Sequence, residues 1–461
     1  MTPILLGILG YVLAQLAIGV VVARGIKSEA DYLLAGRRLG PGLATFSVFA
    51  TWFGAETCIG AAGAIYEDGL AGGYADPFGY AACLFLMGFV FAIPLWRRGL
   101  TTLADLFRQR YSIGIERLAV IIIVPTSIMW AAAQIRAFGQ VLDVGSPLGV
   151  DIAITIAATV VIVYTIAGGL YSDVITDLIQ GIALIIGLVV LFYVVAQAAG
   201  GFGPALAEIP PDRLRLFGAP DEPLLATIEK WAIPITGSVV AQELVARILA
   251  VRSPTLARRA SIAGGGMYLV FGLIPVFIGL IGARLLPDLA EPEQLLPTLA
   301  QQHLSTVLYI LFAGALISAI LSTVDSALLA AAALVEHNLI LPLRPNLSER
   351  GKIRVARLGV LVAGIIAYVL ALHAEGVYEL VVESSAFGGA GIFVIVVFGL
   401  FTTFGGARAA GTALVVGIVS WVAGGYWFEW STPYLISLGL GALGYVLVAL
   451  FEGPLARSAR A

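Results

Sequence analysis

From Leu178 to Ala207 the chain runs 30 residues without a charged side chain. A hydrocarbon core about 30 Å thick is crossed by about 20 helical residues, and in lipid the backbone must satisfy its own hydrogen bonds. Helix is therefore the state expected of such a stretch. Pro3–Ala23 and Ala260–Ala283 are also long and uncharged. Over 461 residues, 60% are hydrophobic and 12% charged, about half the charge of a soluble domain. These features predict an all-α, polytopic membrane protein lodged in a lipid bilayer.

The hydropathy pattern predicts about 13 transmembrane helices, centred near residues 13, 53, 85, 128, 158, 188, 238, 270, 320, 362, 390, 416 and 442. Placing the N-terminus outside and the C-terminus in the cytoplasm sends most of the 26 Lys and Arg, Arg247 among them, to inner loops. Only Arg213, Arg215, Lys230 and Arg284 then fall outside, and Arg136 lies within a helix. The expected location is a plasma membrane, such as a bacterial inner membrane. Cys58 and Cys83 lie in apolar segments and read as buried small residues. No HExxH, P-loop or Cys/His cluster occurs, so no enzyme is expected, and the scattered basic residues form no nucleic-acid face.

Two spans carry glycines and polar side chains at mid-membrane. One reads Ser47-Val-Phe-Ala-Thr-Trp-Phe-Gly-Ala-Glu-Thr-Cys-Ile-Gly, the other Pro234-Ile-Thr-Gly-Ser-Val-Val-Ala-Gln-Glu. Both are expected to be broken helices, which expose carbonyls and half-helix ends where transporters bind substrate and ions. They lie five helices apart, the interval of two inverted repeats. One transporter domain is expected, with a leading helix and loop (1–40), repeats over 41–200 and 226–402, and two trailing helices (403–461).

In Gly314–Ala330 the Ala319 carbonyl and the Ser322 and Thr323 hydroxyls follow i, i+3, i+4 spacing and share a helix face. Three oxygens there, with carbonyls from an unwound Ala50–Phe53, suit a hard cation such as sodium. Asp325 and Ser326 lie within a turn of this face. Asp177 forms an i, i+4, i+7 stripe with Asp173 and Gln180 near the inner end of the sixth span, and carboxylates at membrane depth point to an ion path.

At these residues the chain resembles the sodium:solute symporter family. The resemblance rests on Asp31-Tyr-Leu-Leu-Ala-Gly-Arg-Arg-Leu-Gly, Ala167-Gly-Gly-Leu-Tyr-Ser-Asp-Val-Ile-Thr-Asp-Leu-Ile-Gln and Ile317-Ser-Ala-Ile-Leu-Ser-Thr-Val-Asp-Ser. It implies a LeuT-type fold of five plus five helices with alternating access. It also implies a principal sodium site at Ala50, Phe53, Ala319, Ser322 and Thr323, and in some members a second sodium, here at Asp177, Asp325 and Ser326. Ala50-Thr-Trp, Met129-Trp-Ala-Ala-Ala and Gly169-Leu-Tyr-Ser are similar to the high-affinity choline carrier branch. That branch surrounds a quaternary ammonium with tryptophans. Trp52 and Trp130 match two of these positions, and the third falls near Ala241, which has no ring.

The expected substrate residues are Trp52, Glu56, Asp76, Trp130, Gln134, Arg136 and Gln242. Aromatic faces, amides and carboxylates suit an organic cation such as choline or betaine. Arg136 paired with Glu56 would instead suit an amino acid or another carboxylate-bearing solute. A proton-coupled carrier and a non-transporting sensor are further alternatives.

Overall fold

The computed structural model describes residues 10, 13, 29–146, 148–167, 170–218 and 222–452. Helix α1 (Pro41–Ala50) starts on Pro41, whose missing N–H is no loss in a first turn. It stops at Thr51–Gly54 and resumes through a widened turn, Glu56–Ala61, into α2 (Ala62–Asp68). Then come α3 (Tyr80–Leu86), α4 (Ile113–Val144), α5 (Val150–Ala167) and α6 (Leu170–Ala198). Helices α7 (Leu224–Ala232) and α8 (Gln242–Ala250) are the halves of a second interrupted span. The chain continues as α9 (Pro254–Leu285), α10 (Thr306–Ala333), α11 (Glu349–His373), α12 (Val377–Ala386), α13 (Gly389–Phe401), α14 (Ala407–Val422) and α15 (Pro433–Glu452). No strand occurs among the described residues, only an isolated bridge between Leu39 and Val251.

Helix starts are fixed by local chemistry. The Ser112, Ser253, Ser305 and Ser348 hydroxyls accept the backbone N–H three residues on, at 3.3, 3.2, 3.4 and 3.2 Å, and open α4, α9, α10 and α11. Both expected breaks occur. The second, at Gly237–Ala241, bends its span by 47°. A third break, absent from the sequence reading, separates α12 from α13 by 41° where Gly388 takes a left-handed φ of 69°.

Eight described helices are long and apolar enough to cross a membrane, ten if each bent pair counts as one span. Thirteen is not reached because half-helices such as α1 fall below the length required. The leading helix near residue 13 and the tail beyond Glu452 lie outside the described residues.

Helix α10 is the axis of the bundle. Every residue from Phe312 to Ala333 is buried, and α4, α6 and α11 pack around it. That burial sets Ala319, Ser322 and Thr323 in the interior, facing the first break.

Candidate substrate and ion site

The first break lies against α10. A methyl group added at Gly54 would stand 3.3 Å from the Ala319 carbonyl oxygen and 3.5 Å from Thr323 Oγ1. A side chain there would press on the carbonyl by a few tenths of an ångström, so glycine eases the close approach of the unwound backbone. Thr323 Oγ1 donates to the Ala319 carbonyl at 3.1 Å, and the Ser322 hydroxyl donates to Asp177 Oδ1. Hydroxyls, a carbonyl and adjacent unwound backbone thus converge in a buried place. This is an all-oxygen donor set of the kind a hard cation takes.

One turn along α10 the chemistry changes. Ser326 Oγ donates to the Ser322 carbonyl at 2.9 Å and accepts from Arg247 Nη2. Arg247 also lies 3.4 Å from Asp177 Oδ2, and its Nε donates to the Ser47 carbonyl at 3.1 Å. Its side chain is 1% exposed. Sequence reasoning counted Arg247 among inner loop cations; instead it joins α8, α6, α10 and the end of α1 inside the protein. Asp325 is fully buried beside Asp177 and Arg247, and neither of its oxygens completes a hydrogen bond of good geometry. The Thr165 hydroxyl nearby is donated to the Val161 carbonyl at 2.9 Å.

On the other side of the first break, Trp52 and Trp130 stand 5.7 Å apart between ring centroids. Tyr80 completes a three-ring cluster, 5.2 Å from Trp52 and 5.9 Å from Trp130. Nothing in the spacing of Tyr80 signalled this; it arrives because α3 passes behind the break. A cavity of about 30 Å³ beside the rings is lined by Trp52, Trp130, Ser238, Glu243, Ser385 and Phe387, among others. That volume holds about one water, so a larger ligand enters only if the rings part.

The second and third breaks meet below this cluster. Gly237 lies so close to the Ser385 carbonyl that a methyl group there would overlap it, and Ser238 Oγ donates to Ser385 Oγ at 3.0 Å.

Glu56 and Asp76 are both fully buried. Asp76 Oδ2 accepts Thr57 Oγ1 at 2.8 Å and the Tyr268 hydroxyl at 2.5 Å. Asp76 Oδ1 and both Glu56 oxygens complete no hydrogen bond, although the Tyr80 hydroxyl is close to Glu56. Gln134 is buried with its amide likewise unengaged. Two expected substrate residues point elsewhere. Arg136 donates to the carbonyls of Ala371 and Glu375 at 3.4 and 3.0 Å, at the end of α11. Gln242 Oε1 accepts the Leu103 N–H at 2.8 Å.

The two ends of the bundle differ in how open they are. At one end a cavity of about 970 Å³ opens above Gly60, Tyr74 and Tyr378. Its lining includes Glu67, Asp68, Glu222, Glu291, Glu293 and Glu379, against two basic residues, Arg215 and Lys230. Burial pushes the Glu293 carboxyl above the ordinary glutamate range, while the Val377 N–H and the Arg136 guanidinium pull it back. At the other end a polar clamp closes the bundle. Asn338 Nδ2 donates to Asp105 at 2.9 Å and to Glu116 at 2.8 Å, and Thr102 Oγ1 donates to Asn338 at 2.7 Å.

Comparison with known proteins decides the family. The model of the sodium:solute symporter family matches residues 32–417. The chain belongs to this family. Its members are symporters rather than enzymes, and this chain is accordingly a multi-pass membrane protein.

The human high affinity choline transporter 1 is 28% identical over 372 residues, covering 77% of this chain and 63% of that protein. The chain therefore spans less than two thirds of the length of that relative. The sodium/pantothenate symporter of Escherichia coli (strain K12) is 26% identical over 432 residues, covering 90% of this chain and 89% of that protein. A substrate-bound, outward-open Na+-coupled sialic acid symporter superposes with a TM-score of 0.85 at 19% identity, covering 98% of both chains. The chain thus shares its LeuT-type fold.

Proposed function

We propose that this protein is a sodium-coupled symporter that imports a small organic cation by alternating access. The observation that carries the reading is the cluster of Trp52, Trp130 and Tyr80 beside a break whose other side meets Ala319 and Thr323. Sodium is the co-substrate of the Ala50, Phe53, Ala319, Ser322 and Thr323 set. Binding there favours the first break packed against α10, which holds Trp52 in place for the substrate. Aromatic faces attract a quaternary ammonium through their quadrupoles. The Glu56 carboxylate, the unpaired Oδ1 of Asp76 and an acidic entrance favour a positive over a negative solute. The relatives bear names for both classes, choline and pantothenate. Arg136, committed to backbone carbonyls at the end of α11, gives less support to a carboxylate-bearing substrate.

In this reading 41–200 and 226–402 are the two repeats and the acidic end faces outside. The clamp of Thr102, Asp105, Glu116 and Asn338 is the inner gate. Asp177, Asp325 and Ser326 are the place for a second ion, with Arg247 already bound to two of them. One charge crossing 100 mV releases ~2.3 kcal/mol and a tenfold gradient ~1.4 kcal/mol, so one sodium sustains several-hundredfold accumulation of a neutral solute. A cationic solute gains from the voltage as well.

The test is a thermal-shift screen of the purified protein against quaternary amines, amino acids, sugars and carboxylates, with and without sodium. Sodium-dependent stabilisation by choline or betaine, lost in Trp52→Ala, is the expected result. Stabilisation by an amino acid, lost in Arg136→Ala, would transfer the assignment to zwitterions.

A further inference from the structure

A carboxylate at the end of the second broken-span motif, given no role by the sequence, lies in the same cavity as the tryptophans. Glu243 is the second residue of α8, directly after the second break. Its side chain is buried, 6% exposed, and Oε1 has no hydrogen-bond partner. Of the residues lining the cavity it shares with Trp52 and Trp130, Glu243 alone is charged. The Ser127 hydroxyl on α4 approaches this carboxylate, and the positive charge of Arg247 acts on it from one turn away. Arg247, one turn further along α8, directs its guanidinium to Asp177, Ser326 and the Ser47 carbonyl, and reaches only the backbone carbonyl of Glu243, at 3.5 Å. Glu56 belongs to the second half of the first broken span and Asp76 to the turn that leads into α3, and neither lines this cavity.

We propose that Glu243 is the counter-charge of the substrate site, holding the ammonium of an organic cation against Trp52 and Trp130. The assignment rests on the cation-pocket reading and deepens it. A buried carboxylate with one oxygen unpaired is costly even with Ser127 and Arg247 nearby, and an incoming cation offsets that cost, whereas an uncharged molecule of the same shape does not. The aromatic faces recognise the apolar shell of the headgroup; Glu243 reads its charge. Ala241 leaves the place of a third ring empty two residues earlier, so this chain substitutes a carboxylate for an aromatic wall in its selection of cations.

The experiment measures binding of choline, tetramethylammonium and the uncharged choline isostere 3,3-dimethylbutan-1-ol to the purified full chain in saturating sodium, by calorimetry. The wild type is expected to prefer choline to the isostere. Glu243→Gln should weaken both cations about tenfold or more and leave the isostere nearly unchanged, collapsing the ratio. Sodium-induced thermal stabilisation of the variant certifies its fold. If Glu243→Gln does not fold, the same ratio is read on Glu243→Asp, which should fall between wild type and unity. An unchanged choline-to-isostere ratio in a folded variant overturns the role of Glu243 and leaves the cation pocket standing. Failure of the wild type to bind either cation overturns the pocket reading and this assignment with it.

Discussion

Arg247 and Asp177 form an ion pair in the interior of the bundle, 3.4 Å apart, with side chains 1% and 0% exposed. Asp177 accepts the Ser322 hydroxyl on its other oxygen, so one carboxylate links the proposed sodium ligand to α8. Removing one partner of a buried pair leaves an uncompensated charge, at a cost of about 3–5 kcal/mol. Arg247→Ala should therefore lower the melting temperature sharply. The double variant Arg247→Ala/Asp177→Asn should recover part of that loss. Strict additivity in a double-mutant cycle would show that the pair is not coupled.

Gly237 tests the meeting of the second and third breaks. A methyl group there would overlap the Ser385 carbonyl, a backbone atom that cannot rotate away. Gly237→Ala should cost about 1–3 kcal/mol of stability and slow transport. Wild-type melting and uptake in this variant would show that the two breaks are free to separate.

How much of this was legible in the sequence depended on whether chemistry followed spacing along the chain. The Ala319, Ser322 and Thr323 face was readable because helical periodicity alone brings those residues together. The first two breaks were readable because glycine beside Thr, Ser, Glu or Gln is out of place in lipid. The third break carried a similar pattern, Glu383-Ser384-Ser385 ahead of Gly388-Gly389, but beside a long apolar run that reads as an uninterrupted span. Tyr80 and Glu243 reach the tryptophans through tertiary packing that no spacing records. Arg247 read as a loop cation because its buried partner, Asp177, is 70 residues distant in sequence.

The clamp around Asp105 gives a pH prediction. Burial alone would raise the Asp105 carboxyl, but His337 and the N–H groups of Thr101 and Thr102 hold it below the ordinary aspartate range. A depressed folded value stabilises above the unfolded pKa, and the contribution is lost as pH falls through the folded value. Asp105→Asn should lower the melting temperature at pH 7 by the equivalent of about 1–3 kcal/mol. The gap to wild type should narrow only under acid conditions, below the ordinary aspartate range. A gap that closes near neutrality would contradict the assignment.

The Ser322 and Thr323 hydroxyls should dominate the response to sodium. Ser322→Ala/Thr323→Ala should raise the sodium concentration for half-maximal stabilisation by about tenfold or more, each lost oxygen ligand being worth a kcal/mol or so. Asp325→Asn should leave that half-maximal concentration within about twofold if one sodium suffices, while a change in the sodium Hill coefficient would indicate a second ion.

The most direct test of sodium-coupled cation import is choline uptake into proteoliposomes under an inward sodium gradient, compared with an equal potassium gradient. The account predicts accumulation above equilibrium only with the sodium gradient, abolished in Ser322→Ala/Thr323→Ala. Equal accumulation under both gradients, or accumulation that survives loss of the two hydroxyls, would contradict it.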